Sequence, residues 1–182
     1  MSNSVLTKET ATADAKRVLE KAESKYGFVP NLIGMMSNAP ALAEAYLALN
    51  EYFSQTSLSK VEQQVVLLSA SFENNCTYCM AAHSTIAKQA GMPDDTLKAL
   101  RDGTEIPDSK LNALSIFTRA MVISRGLPTD EQIGLLKQAG FTDQQALEVV
   151  LGVGLKTLSN YTNHLADTPL DDKFSQARWE KP

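Results

Sequence analysis

Residues 73–83 have the sequence ENNCTYCMAAH and contain both cysteines of the chain and one of its two histidines. After the two asparagines we expect a helix from about residue 76 to residue 90. Side chains three and four positions apart share a helix face, so Cys76, Cys79 and His83 project from the same side. A helix N-terminus carries unpaired amides and partial positive charge, and both favour a thiolate. The stretch therefore predicts a reactive thiol pair beside an imidazole, as thiol redox chemistry requires.

The sequence on both sides of this stretch is helical almost throughout, and none of it shows the sustained alternation typical of a strand. The first helix is predicted over about residues 9–25 and ends at Gly27. Capping boxes, in which Ser or Thr is followed three residues later by Glu or Gln, start three further helices at 59–62, 129–132 and 142–145.

The last long helix, predicted over about residues 142–166, contains Gly152 and Gly154. Glycine inside a helix costs about 1 kcal/mol relative to alanine, so we expect a close approach to another helix there. Since no linker or change in composition divides the chain, we predict one all-helical domain over residues 1–182, without a sheet. Residues 1–8 are predicted as a flexible N-terminus and residues 168–182 as a polar tail on the surface.

Composition and charge narrow the class of protein. The chain has 43% hydrophobic and 21% charged residues, which is typical of a globular protein. Its formal net charge is −4 and it has no basic block, which argues against nucleic-acid binding. The longest apolar runs are far shorter than the ~20 residues that span a bilayer, so no membrane partner is expected. The first residues lack the apolar region of a signal peptide, which favours a cytoplasmic location.

A C-x-x-C motif also occurs in other kinds of site. Haem attachment needs histidine directly after the second cysteine, but Met80 follows Cys79. A structural zinc site needs four ligands and would have to recruit the distant His164, so no metal site is predicted and zinc remains an alternative. A thioredoxin-like motif would follow a strand, and no strand is predicted. Two buried cysteines acting as small hydrophobic residues are the remaining alternative.

The C-x-x-C-x-x-x-H motif, preceded by residues 58–60 and 65–68, resembles that of the alkylhydroperoxidase D / carboxymuconolactone decarboxylase family. The similarity extends upstream to residues 27–31 and 40–42, and downstream to residues 160–164, as in the longer, peroxidase-related branch. This resemblance implies an all-α bundle that assembles into a homotrimer or homohexamer. It implies no bound cofactor.

The resemblance also implies a role for each residue of the motif. Cys79 matches the cysteine that attacks a hydroperoxide substrate, Cys76 the resolving cysteine, and His83 the histidine that relays protons. The resulting disulfide would be reduced by a dithiol or dihydrolipoyl electron donor.

Two departures from the family pattern concern proton transfer. The family has a relay glutamate twelve positions before the first cysteine, where this chain has Gln64. Glutamine can orient a neighbour by hydrogen bonding, but it cannot transfer a proton. Glu62, which also belongs to a capping box, and Glu73 are therefore candidate substitutes. In addition, Tyr78 stands where the best-known members have histidine.

The final helix carries a polar row of Lys156, Asn160 and His164 at four-residue steps. Such a row is unusual on a helix that is otherwise so apolar. The resemblance suggests that this row approaches the cysteines or a subunit contact, and His164 is accordingly a candidate relay residue. A histidine hydrogen-bonded to backbone at an interface is the alternative.

Together these features predict a thiol-dependent peroxidase with a Cys76–Cys79 dithiol–disulfide cycle. The enzyme alternative is a carboxymuconolactone decarboxylase acting on a lactone of aromatic degradation, a reaction that does not need two thiols. The non-enzyme alternative is a redox-sensing oligomer whose disulfide changes its assembly.

Overall fold

The computed structural model describes residues 4–182, and this part of the chain forms nine α-helices and no β-strand. The all-α class predicted from the sequence is confirmed. In chain order the helices are α1 (Ala13–Tyr26), α2 (Asn31–Met36), α3 (Pro40–Ser54), α4 (Lys60–Glu73), α5 (Thr77–Gln89), α6 (Asp94–Asp102), α7 (Ser109–Ile123), α8 (Asp130–Gln138) and α9 (Asp143–Ala166). A short 3-10 helix at Asp172–Ala177 follows α9. None of these nine helices combines the length and apolar character needed to cross a lipid bilayer.

Helix α4 lies at the centre of the bundle. All of its residues from 62 to 72 are buried, and it packs against α5, α6, α7 and α9. The apolar run Val65–Leu68 supplies much of this contact, since each of its side chains is at most 3% exposed. The predicted capping box fixes where α4 begins, because Ser59 Oγ accepts from the Glu62 N–H while the Glu62 carboxylate accepts from the Ser59 N–H.

Helix α9 packs against α3, α4 and α7, and its two glycines have different surroundings. A Cβ on Gly152 would lie 2.7 Å from Val66 Cγ1 and 2.8 Å from Phe53 Cε2, so the close packing of α9 on α3 and α4 requires glycine there. A Cβ on Gly154 would meet no described atom within 4 Å. The predicted close approach is therefore confirmed at Gly152, whereas Gly154 faces open space.

The local signals for helix ends agree with the structure. All three predicted capping boxes are present. Helix α1 begins at Ala13 rather than near residue 9, because the Thr12 side chain accepts a hydrogen bond from the Ala15 N–H and acts as the cap. Gly27 ends α1 in a left-handed conformation, with φ at +74°.

Helix α2 was not predicted from the sequence. Its first residue, Asn31, has no capping side chain nearby in the chain. Instead, the Asp171 carboxylate accepts a hydrogen bond from the Asn31 N–H at 3.0 Å, across 140 positions. The C-terminal tail therefore supplies the cap that α2 lacks.

Both ends of the chain are packed more closely than predicted. Residues 1–3 of the predicted flexible N-terminus lie outside the described residues. Further along, the Leu6 N–H donates to Gly34 O at 3.1 Å, so the segment lies against α2. In the tail, Trp179 is only 5% exposed, and its ring lies 5.8 Å from that of Phe72. The tail is therefore part of the core as well as of the surface.

Candidate active site

Helix α5 presents both thiols at its N-terminus. Asn75 adopts a left-handed conformation (φ +52°) between α4 and α5, which makes Cys76 the N-cap residue and places Cys79 in the first turns. Both side chains are buried, at 1% and 2% exposure. From α9, Asn163 Nδ2 donates to both sulfurs, at 3.5 Å from Cys76 Sγ and 3.3 Å from Cys79 Sγ. The two sulfurs therefore share one donor between α5 and α9.

The two sulfurs differ in proton affinity. Burial by itself would raise the pKa of Cys79, but the hydrogen bond from Cys76 and the positive charge of Lys156 outweigh it, so the pKa of Cys79 lies well below its ordinary value. The pKa of Cys76 is raised by its hydrogen bond to Cys79, by burial and by the charge on Cys79. The surroundings therefore favour the thiolate at Cys79 and the thiol at Cys76, which suits a nucleophile with a resolving partner.

Lys156 on α9 is the cation whose charge lowers the pKa of Cys79. Its side chain is fully buried, and its Nζ atom has no oxygen or nitrogen partner within hydrogen-bond distance among the described residues. A buried ammonium is destabilising unless an opposite charge compensates it. The Cys79 thiolate provides that charge, since Lys156 acts on it electrostatically.

His83 lies one turn after Cys79 and is held by Gln64. The distance from His83 Nδ1 to Gln64 Oε1 is 3.0 Å. An amide oxygen can only accept, so with this amide orientation Nδ1 carries the proton and the Nε2 lone pair is left free. Burial and the charge of Lys156 lower the pKa of His83 well below its ordinary value. The imidazole is therefore neutral near pH 7 and can accept a proton.

A cavity of about 550 Å³ lies in front of Cys79. Cys79, His83 and Lys156 all line it, while most of its wall is apolar. Its aromatic lining consists of Tyr26, Phe28, Tyr46, Tyr78 and Phe174. Pockets for small organic molecules are typically about 300–1,000 Å³ and largely apolar with a few polar groups, so this cavity can hold such a molecule beside the thiolate.

The other three candidate relay residues lie outside the lining of the cavity. Glu62 caps α4 and forms an ion pair with Lys110 at 2.8 Å. Glu73 forms an ion pair with Arg119. His164 is exposed on α9. None of the three lines the cavity described above.

Of the polar row predicted on α9, Lys156 and Asn160 point inward, whereas His164 is exposed. Lys156 and Asn160 are buried, and Asn160 Oδ1 accepts a hydrogen bond from Asn74 Nδ2 at 2.9 Å, which ties α9 to the turn before α5. At the next step the inward position is Asn163 rather than His164, because a helix face advances by three residues as well as four. Sequence reasoning missed Asn163, although the spacing 156, 160, 163 was available to find it. The zinc alternative loses its proposed fourth ligand, and among residues 4–182 no three His, Cys, Asp or Glu side chains are grouped as metal ligands.

Tyr78, between the cysteines, connects three parts of the chain. Its hydroxyl donates to Asp171 Oδ2 at 2.5 Å and accepts from the Leu32 N–H at 3.3 Å. Its ring packs edge-on against Phe174, with 6.3 Å between centroids. Tyr78 thereby fastens the C-terminal tail over α5 and α2, and the tail closes one wall of the cavity.

The fold and the site together define an all-helical protein with a buried dithiol that faces an aromatic cavity. The sequence profile of the Carboxymuconolactone decarboxylase family matches residues 40–118. This region runs from α3 into α7 and includes both cysteines, Gln64 and His83. This match and the shared fold support the family that the motif indicated, since residues 40–118 contain the region that the profile describes.

Several solved structures share the fold over nearly their whole length. A peroxidase-related protein with an alkylhydroperoxidase AhpD core from Ralstonia eutropha JMP134 has a TM-score of 0.80 and 21% identity, over 98% of this chain and 97% of that chain. A peroxidase-related protein from Silicibacter sp. TM1040 has a TM-score of 0.79 and 18% identity, over 98% and 97%.

A third solved structure was determined with a ligand. A cysteine-to-alanine variant of the debrominase Bmp8, in complex with 2,3,4-tribromopyrrole, has a TM-score of 0.80 and 18% identity, over 97% of this chain and 95% of that chain. No curated protein matches the chain by sequence. At these identities the similarity shows the fold alone.

Proposed function

We propose that the protein is a thiol-dependent peroxidase that reduces hydroperoxides through a Cys76–Cys79 dithiol–disulfide cycle. The observation that carries the proposal is that the two buried sulfurs, Cys76 Sγ and Cys79 Sγ, share the Asn163 amide as a hydrogen-bond donor. Attack on a peroxide needs a thiolate, and closure of the disulfide needs a second sulfur beside it. A carboxymuconolactone decarboxylase reaction needs no such pair, so the site favours thiol chemistry over that alternative.

The cycle has three balanced steps. The Cys79 thiolate attacks the O–O bond of ROOH and, with one proton, gives a sulfenic acid and ROH. The Cys76 thiol condenses with the sulfenic acid, which forms the disulfide and releases water. An external dithiol, of the dihydrolipoyl type, then exchanges with the disulfide and restores both thiols while it is itself oxidised. Because this cycle depends on a reducing dithiol pool, we propose the cytoplasm as its location.

His83 serves the proton steps of this cycle. The neutral imidazole accepts the proton that Cys76 loses when the disulfide closes, and returns it to the departing hydroxyl. Gln64 holds the ring through Nδ1 but cannot carry the proton further. Proton transfer therefore rests on His83 alone.

Peroxide consumption with dihydrolipoamide as donor tests the proposal. We expect steady turnover by the wild type and none above background by Cys79→Ser. Cys76→Ser is the matched variant: it retains the nucleophile, so it should consume a single equivalent of peroxide and then stop. Turnover that persists in Cys79→Ser would refute the mechanism. A reversible disulfide in the wild type without turnover would instead identify a redox-sensing oligomer.

The aromatic lining of the cavity favours a second candidate, reductive dehalogenation of an aromatic ring. In that reaction Cys79 takes the halogen from carbon as the ring takes a proton, and Cys76 then displaces halide to form the disulfide. The same dithiol donor would complete the cycle. Bromide release from 2,3,4-tribromopyrrole, measured alongside peroxide consumption with wild type and Cys79→Ser, decides between the two reactions.

A further inference from the structure

The geometry of α9 points to a part of the site that the family motif does not contain. We propose that Lys156 and Asn163 form the thiolate-binding half of the active site, with Lys156 as the counter-charge of the Cys79 sulfur and Asn163 as its hydrogen-bond donor. Asn163 touches the reacting sulfur at 3.3 Å and is a catalytic residue in this sense. Lys156 acts through the charge on Cys79 and is a positioning residue. The proposal deepens the proposed function, since it explains how the nucleophile is made.

Burial makes the Lys156 charge effective. The side chain is 0% exposed, whereas the other lysine that lines the same cavity, Lys173, is exposed and lies 3.9 Å from the Phe28 ring centroid. Charges in a water-poor interior interact several times more strongly than exposed ones, which salt and water screen. Lys156 should therefore dominate the potential at Cys79, and Lys173 should contribute little.

Among the described residues, the buried titratable groups packed around Cys79 on α3 and α5 supply no positive charge. From α5, Cys76 is a thiol and the lowered pKa of His83 keeps the imidazole neutral. From α3, burial and the charge on Cys79 raise the pKa of Tyr46 well above its ordinary value. Tyr78 is likewise neutral, since burial and Asp171 raise its pKa. The buried cation beside Cys79 is therefore Lys156 of α9, while Lys173 lies exposed at the cavity.

The Nζ atom of Lys156 gives the arrangement a further property. Lys156 stabilises the Cys79 thiolate by its charge and as a donor to the sulfur, and no oxygen or nitrogen of the described residues lies within hydrogen-bond distance of its Nζ atom. Its other N–H groups remain free to donate to an acceptor in the cavity, next to the sulfur that reacts. When the disulfide forms, Cys79 loses its charge and this cation loses its counter-charge, so each turnover changes the electrostatics of the cavity.

Alkylation of the reduced protein by iodoacetamide at a series of pH values, with the modified cysteine located by mass spectrometry, tests the proposal without any peroxide. We expect Lys156→Met to move the midpoint for Cys79 up by about one pH unit or more, which lowers the rate about tenfold below both midpoints. Lys156→Arg should restore most of the effect, since it keeps the charge. Lys173→Met is the matched control and should keep the wild-type midpoint.

Asn163→Ala should raise the midpoint as well, because both sulfurs lose their donor. A measurement on the wild type alone guards against a misfolded variant: the midpoint should change little between low and high salt, as expected for a buried pair. An unchanged midpoint in folded Lys156→Met, or a midpoint that rises steeply with salt in the wild type, would overturn the proposal. Failure of the peroxidase assay with an intact midpoint shift would instead refute the proposed function alone.

Discussion

The Tyr78 hydroxyl donates a hydrogen bond of 2.5 Å to Asp171 Oδ2, and Asp171 at the same time caps α2 through the Asn31 N–H. One carboxylate thus joins the active-site helix α5 to α2 and to the C-terminal tail. Because Tyr78 and Asp171 are both buried, each depends on the other to satisfy its polar atoms. The residue between the two cysteines therefore holds the wall of the cavity in place.

Tyr78→Phe should accordingly destabilise the protein. It removes the donor and leaves the buried Asp171 carboxylate with one partner fewer, which typically costs about 1–3 kcal/mol. The free energy of unfolding in urea measures the effect, with Tyr52→Phe as control because Tyr52 is 64% exposed. Equal stability of the two variants would show that the Tyr78–Asp171 bond does not fasten the tail.

This bond also shows what local sequence patterns can and cannot predict. Capping boxes and the glycine after α1 act between residues a few positions apart, so the sequence predicted them correctly. Helix α2 depends on Asp171, 140 positions away, and no local pattern contains that information. The sequence also underestimated how closely the N-terminal segment and Trp179 are packed, because their partners, Gly34 and Phe72, lie far away in the chain.

In the candidate site, too, local spacing predicted some residues, and tertiary packing decided the others. The spacing of Cys76, Cys79 and His83 on one helix made their proximity predictable from the sequence. The resemblance marked position 64 as a relay position, and in the structure Gln64 contacts His83. The α9 half was only partly predictable: the polar row was visible, but which of Asn163 and His164 faces inward depends on how α9 is rotated against α4 and α5. Packing at Gly152 sets that rotation.

We expect Cys76 and Cys79 to form a reversible intramolecular disulfide. Both sulfurs lie within hydrogen-bond distance of Asn163 Nδ2, and a disulfide between the first turn of a helix and its cap needs little adjustment. After mild peroxide treatment both thiols should be lost together, and mass spectrometry should find the link within one chain. Dithiothreitol should restore both. Two free thiols, or links only between chains, would contradict the resolving role of Cys76.

The protein should also form homo-oligomers, a homotrimer or a homohexamer. The outer face of α9 exposes large apolar side chains at Leu147, Val150, Tyr161 and Leu165, and Gly154 on this helix faces open space. An exposed apolar face of this extent is typical of a protein interface. Light scattering should give a mass that is a multiple of 19.8 kDa.

A charge placed on this face tests where the subunits meet. Val150→Lys should lower the mass toward that of a monomer, since a lysine in an apolar interface must be desolvated. Glu20→Lys, on the exposed side of α1, is the control and should leave the mass unchanged. A wild-type monomer at micromolar concentration would contradict the predicted assembly. An unchanged mass in Val150→Lys would show that the subunits do not meet at this face of α9.

His83 should make the protein less stable in mild acid. Burial and the charge of Lys156 lower the pKa of His83 well below 6.5, whereas the unfolded chain has the ordinary value. As the pH falls through about 6.5, the unfolded state binds a proton that the folded state does not, so the free energy of unfolding falls by up to about 1.4 kcal/mol per pH unit. His83→Asn should remove this contribution. His164→Asn, at the exposed histidine, should keep the wild-type slope between about pH 7 and about pH 5; equal slopes for all three proteins would mean that His83 is not held neutral.

The contact between Gln64 and His83 leads to the last prediction. An amide in hydrogen-bond contact with the imidazole orients it without exchanging protons, so the relay ends at His83. A carboxylate in the same place would raise the pKa of His83 and connect it to a second proton acceptor. Gln64→Glu should therefore increase peroxide turnover if proton transfer limits the rate, and His83→Ala should lower it by about 10²–10⁴-fold, the range typical of general acid–base groups. Glu62→Ala is the control: it removes the Glu62 half of the α4 capping box and should cost about 1 kcal/mol of stability with little effect on turnover. Unchanged turnover in Gln64→Glu together with loss of turnover in Glu73→Ala would place the relay carboxylate beside Arg119 instead, and the assignment of proton transfer to His83 alone would be wrong.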